Sequence, residues 1–135
     1  MQVNRYIRDK AMDHVDHALG RPVDPTVESY RNYFATSVDG NIAAEFRASP
    51  NWIEGIRQGD MVWFHVSDQG RAALRDHLRE IGDEHQLFTV SWGGYDMPQV
   101  AASASKARYA RWSALCDVID VPFMTFAATA RVRLA

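Results

Sequence analysis

Alternation and helical spacing agree best in the middle of the chain, over Gly59–Gly82 (GDMVWFHVSDQGRAALRDHLREIG). Val62, Phe64 and Val66 alternate with Met61, Trp63 and His65, which predicts a short strand with one apolar face and one bulky, mixed face. Ser67 then offers a hydroxyl to the free N–H groups of a helix start, Asp68 complements the helix dipole, and Gly82 marks the stop. Leu74, Leu78 and Ile81 recur at three- and four-residue spacing, so the predicted unit is a strand running straight into an amphipathic helix.

On the N-terminal side, Val3, Ile7, Ala11, Val15, Ala18 and Leu19 mark one stripe of a helix over about 3–19, closed by Gly20 and Pro22. RPVDP is an extended connection. TVESYRNYFAT reads two ways: Val27, Tyr30 and Phe34 suit a helix, while the β-branched and aromatic content suits a strand, the favoured reading, from Tyr30 to Thr36. After the Asp39-Gly40 turn, Ile42, Ala43 and Phe46 suit a brief helix. Ser49-Pro50 reads as a further helix entry, with Trp52, Ile53 and Ile56 as its buried face and Gly59 as its end.

Beyond the central unit, Gln86–Trp92 is a second strand, and Gly93-Gly94 with Tyr95–Pro98 predicts a hairpin with a long tip, returning near Val100–Ser103. Ser105 is the expected cap of a helix over about 106–119, with Tyr109, Trp112, Cys116 and Ile119 on one buried face. Asp120 should cap a shorter turn holding Pro122, Phe123 and Phe126. In Thr129–Leu134, Arg131 and Arg133 alternate with Val132 and Leu134, which predicts a last strand with a basic face. Helices are thus mixed with short, mostly antiparallel strands. The expected class is α+β, in a single small domain with a possible sub-division near 82–86.

Composition narrows the function classes. With 135 residues, of which 47% are hydrophobic and 24% charged, the chain supports one ordinary core and lies outside the disordered class. A net charge of -2 gives no bulk attraction to phosphate or anionic lipid, so a nucleic-acid role needs a local basic patch. The C-terminal end offers one in Lys106, Arg108, Arg111, Arg131 and Arg133. Cys116 is the single cysteine, which excludes an intrachain disulfide and suits a reducing, cytoplasmic setting. No apolar run is long enough to span a bilayer, and Met1–Asp13 lacks the pattern of an export signal, so no membrane role is expected.

Two resemblances run through the chain. HALGRPVDPTVESYRNYF, Trp52, FHVSDQGRAAL and SKARYARW together resemble small uncharacterised phage and prophage proteins of alphaproteobacteria. That resemblance implies a mobile-element context, in which an accessory protein acts in the host cytoplasm on host-defence or other host machinery. More locally, VSDQGRAAL is similar to the last wing strand and following helix of winged-helix regulators. It implies a nucleic-acid-binding module, although WIEGIRQ, in the place of the preceding recognition helix, offers only Arg57 and Gln58.

Candidate chemistry is sparse. His14 and His17, flanked by Asp13 and Asp16, lie three residues apart and would share a helix face, so they form the most metal-like pair, with His65, His77 and His85 as possible further donors. The competing reading places His14 at the edge of the apolar stripe and both aspartates in water. Ser103 and Lys106 form a Ser-x-x-Lys pair, which a helix cap beside a solvated lysine explains equally well. Cys116 is expected to be buried and inert. No cofactor-binding motif is present, and nothing amounts to a catalytic signature.

Binding residues are better represented than reactive ones. Tyr, Trp and Arg anchor protein interfaces and stack on bases, and the chain is rich in them (Tyr30, Arg31, Tyr33, Trp63, Trp92, Tyr95, Tyr109, Trp112). The leading expectation is a non-enzymatic protein that binds a macromolecular partner, foremost another protein, through Trp63, Tyr95, Met97, Arg131 and Arg133. The alternative is nucleic-acid binding through Arg57, Arg71, Lys106, Arg108 and Arg111. A metal-dependent or hydrolytic enzyme centred on His14 and His17 comes third.

Overall fold

A computed structural model describes residues 2–27, 29 and 31–135. The elements, in chain order, are α1 (Lys10–Ala18), β1 (Phe34–Ser37), α2 (Asn41–Arg47), β2 (Trp52–Gln58), β3 (Met61–Val66), α3 (Asp68–Glu80), β4 (Gln86–Trp92), β5 (Tyr95–Ala101), α4 (Ala104–Cys116), α5 (Phe123–Thr129) and β6 (Arg131–Leu134). The class is α+β, with two antiparallel three-stranded sheets. Contacts group residues 2–83 and residues 84–135 into two compact units.

Within residues 2–83 the sheet order is β1-β3-β2, and the predicted strand-to-helix unit supplies its centre. Val62, Phe64 and Val66 point into the core, and the Ser67 side chain accepts from the Gly70 N–H at the start of α3. Leu74 and Leu78 are buried as the spacing requires, whereas Ile81 lies past the helix end and is half exposed. Two apolar clusters share Phe34 and Trp52. One gathers Ile7, Val15, Leu19, Val66, Leu74 and Leu78; the other gathers Val38, Ala43, Phe46, Val62 and Phe64. Phe46 stacks on Trp52 with ring centroids 3.8 Å apart.

Several predicted elements are corrected here. The first helix begins only at Lys10, because the Asp9 carboxylate caps it by accepting from the Met12 N–H. Val3 and Ile7 are buried, as expected, but from an extended segment in which Gln2 bridges Pro22. The strand expected over Tyr30–Thr36 runs from Phe34 to Ser37; Tyr30 lies outside the described residues. Trp52–Gln58 is a strand and no helix, paired with β3 through a two-residue Gly59-Asp60 turn. Its Ile53 is exposed because it pairs with His65 on the mixed face of β3, and Ile56, inside the register shift between Glu54 and Arg57, is exposed as well.

Residues 84–135 form a sheet of order β5-β4-β6 on which α4 and α5 pack. Phe88, Val90, Ala101, Ala107, Phe126 and Ala130 are its buried centre. The β4–β5 hairpin has no long tip. Gly93 and Gly94 both take positive φ, which closes the tight turn directly onto the Trp92–Tyr95 pair. Ser103, and not Ser105, caps α4, and the helix stops at Cys116, which is exposed. Pro122 stands where Asp120 was expected to open the last helix, and Leu134 of β6 is largely exposed. Among the described residues no helix is long and apolar enough to cross a membrane.

Candidate functional site

Sheet alternation places Phe88, Val90 and Trp92 of β4, with Tyr95 and Met97 of β5, on the face that α4 and α5 cover. Trp92 and Tyr95 form the last pair of the hairpin, and a groove opens between that pair and the end of α4. The groove has a volume of about 360 Å³ and is lined by Trp92, Gly93, Tyr95, Asp96, Met97, Leu115 and Ile119. Tyr95 is 74% exposed and Ile119 42%, so the apolar wall is open to solvent.

Both walls are held in place. The Leu115 carbonyl accepts from the N–H groups of Val118 and Ile119, folding the chain back so that Ile119 lies beside Leu115. Trp112 donates its indole N–H to the Val121 carbonyl at 2.7 Å and packs edge-on against Phe123. On the opposite wall, Trp92 donates to the Thr129 hydroxyl at 3.1 Å and contacts the Phe126 ring. Asp96 accepts from Ser91 and Arg133, and those two contacts hold its carboxyl below the usual carboxylate range. The side chains of Ser91, Asp96 and Arg133 thereby brace the outer face of the hairpin.

The groove brings together two of the residues expected at a contact surface, Tyr95 and Met97, and adds Trp92, Leu115 and Ile119. Arg133 is engaged by Asp96 and Ser91, while Arg131 is exposed on β6. Trp63 belongs to the other unit, half-buried on the mixed face of β3. Comparison with known protein families, curated proteins and solved structures finds no match. The site therefore has to be read from its own chemistry.

The other candidate residues are placed as follows. His14 lies edge-on to Phe34 and Phe46, with centroids 5.3 and 5.7 Å away, and His17 also lies edge-on to Phe34, at 5.9 Å. Asp16, expected in water, is instead fully buried and paired with Arg5 and Arg21, each at 2.8 Å. Among the described residues no group of three or more His, Cys, Asp or Glu side chains is placed to hold a metal ion. The Ser103 hydroxyl accepts from the Lys106 backbone N–H, as a helix cap does.

Of the basic residues, Arg71 donates to the carbonyls of Pro25 and Val27 and to the Ser29 hydroxyl, holding the loop before β1. Arg57 turns back to the Gly59 carbonyl. Lys106 is exposed on α4, with Arg108 and Arg111 half-buried. The strand at Trp52–Gln58 bears on the winged-helix likeness, because it leaves no helix in the place where one would have read a duplex.

Proposed function

We propose that the protein works by binding another protein through the groove between the β4–β5 tip and the end of α4. The observation that carries this reading is a set of large apolar side chains around one braced cleft, with Tyr95 and Ile119 exposed and Trp92, Met97 and Leu115 half-buried. Solitary exposed apolar residues are ordinary on a protein surface, but a concave cluster of them marks a contact site. Aromatic side chains with a polar tip, such as Tyr95, are the usual energetic anchors of such sites. Given the likeness of the sequence to phage and prophage proteins, the partner is a host protein, and the consequence is interference with host defence or redirection of host machinery.

A photo-crosslinking amino acid placed at position 95, with a control at the exposed Glu80 of α3, tests this in host lysate. One host protein captured from position 95 and not from position 80 is the expected result. Equal labelling from both positions, or no adduct from position 95, defeats the reading. Nucleic-acid binding has less in its favour, because Arg71 is already occupied by the Pro25 and Val27 carbonyls and Arg57 turns back to the Gly59 carbonyl. It predicts affinity for nucleic acid that collapses as salt is added, since phosphate contacts release counterions.

A further inference from the structure

The end of α4 carries charge of the wrong sign for its own stability. A helix C-terminus is the negative end of the backbone dipole and favours Lys, Arg or His. The last turn of α4 holds no basic residue, and Asp117 occupies the C-cap position itself. Asp120 follows on the other side of Ile119, and both carboxylates are exposed. From Trp112 to Ala130 the chain contains no Lys, Arg or His at all. Neither aspartate has a cationic partner among the described residues. On the opposite wall, Trp92–Met97, the one carboxylate is Asp96, already paired with Arg133, so the unpaired anions are those at the end of α4.

We infer that the groove takes a peptide segment in which one aromatic or aliphatic anchor is flanked by lysine or arginine. The inference rests on the groove being a protein-binding site and names what that site selects. The anchor enters between Tyr95 and Ile119, where Trp92, Met97 and Leu115 provide hydrophobic contact. The flanking cations lie at the end of α4, where two carboxylates and the helix carbonyls produce a negative field that no residue of the wall offsets. A volume of about 360 Å³ suits a short side-chain anchor better than a bulky cofactor, being near the lower end of the roughly 300–1,000 Å³ typical of ligand pockets.

Selection from a random peptide display library on the full chain, followed by fluorescence anisotropy on the enriched peptides, tests it. The expected peptides share an apolar anchor with neighbouring basic residues. Tyr95→Ala weakens them on the order of tenfold or more. Asp117→Asn and Asp120→Asn each weaken them by roughly two- to fivefold, an effect that fades at high salt. Asp117→Asn leaves the melting temperature unchanged or higher, because it removes an anion from a helix C-terminus; a merely structural aspartate would lose stability instead.

Enriched peptides that are neutral or acidic, yet depend on Tyr95, overturn the basic-flank inference and leave the groove standing as a binding site. Peptides indifferent to Tyr95→Ala and Ile119→Ser, or no enrichment at all, overturn both.

Discussion

Asp16 is the one fully buried charged residue among those described, and it answers to two guanidinium groups. Arg5 and Arg21 each reach it at 2.8 Å, Arg5 continues to Asp83, and Arg21 to Asp13. The chain leaving α1 takes positive φ at Gly20 and again at Arg21, and the ion pairs hold that strained non-glycine position. Removing the shared carboxylate leaves the nearly buried Arg5 with Asp83 and the partly exposed Arg21 with Asp13, each one anion short, so Asp16→Ala should cost about 3 kcal/mol in urea unfolding. Asp13→Ala, at a partly exposed pair, should cost about 1 kcal/mol or less. A loss at Asp16 no larger than at Asp13 would deny the network its role. Its burial was missed: Asp16 was expected in water, although Met12, Val15, Asp16 and Leu19 fall at i, i+3, i+4 and i+7 on the buried face of the helix. Its partners were not legible either, because only the fold brings Arg5 and Asp83 to it. His17 adds a pH dependence. Desolvation first, then Arg31 and Arg21, lower its pKa from 6.5 against the opposing pull of Asp13. The unfolded chain therefore binds that proton more readily. Stability is complete above about pH 6.5 and declines as pH falls through the folded pKa, and His17→Gln should flatten this decline between pH 7.5 and pH 5.

At the scale of elements, patterns with one regular period were readable and patterns interrupted by a bulge were not. β3 and α3 emerged with their caps because alternation, the Ser67 hydroxyl and the Leu74/Leu78 spacing all agree. In β2 the register shifts between Glu54 and Arg57, so one extra residue enters the strand. That insertion puts the apolar residues at 52, 53 and 56, a spacing that mimics a helix, and the Ser49-Pro50 start signal reinforces the illusion. The groove was half visible for a related reason. Tyr95 and Met97 were read as an exposed tip, but the cleft itself depends on Leu115 and Ile119 at the end of α4 meeting the hairpin, a tertiary contact that periodicity does not report. The junction of β3 and α3 gives a prediction in which packing outweighs propensity. A Cβ on Gly70 would overlap the Asn51 carbonyl oxygen and sit 2.8 Å from Val66 Cγ1. That carbonyl already accepts from the Ser67 N–H at 2.9 Å and has little freedom to move. Gly70→Ala should thus destabilise by about 1–3 kcal/mol, although alanine is the better helix former. The exposed neighbour Gln69→Ala should be neutral or slightly stabilising, and equal melting temperatures for the two variants would refute the steric argument.

At the scale of the whole molecule, the two units differ in how well each can support itself. Residues 2–83 contain two apolar clusters joined through Phe34 and Trp52, the Arg5–Asp16–Arg21 network, and a sheet whose central strand is buried on its core face. Residues 84–135 rely on one cluster centred on Phe88, Val90 and Phe126, and they leave Tyr95, Tyr109, Val118, Ile119, Met124 and Leu134 facing water. The fraction of surface buried on folding shrinks as a chain gets shorter, and a domain of about 60 residues is already marginal. The shorter unit also spends side chains of core type on an open groove, where they add nothing to stability until something covers them. The expected outcome is asymmetric. Expressed alone, a 2–83 fragment should melt cooperatively by circular dichroism, whereas an 84–135 fragment should give a shallow transition at lower temperature. A peptide that fills the groove should sharpen and raise that second transition by mass action, with saturating ligand at about a hundred times its Kd adding about 2.7 kcal/mol. An 84–135 fragment that melts as sharply as 2–83, and is indifferent to such a peptide, would mean that its single cluster suffices and that the open groove carries no latent binding energy.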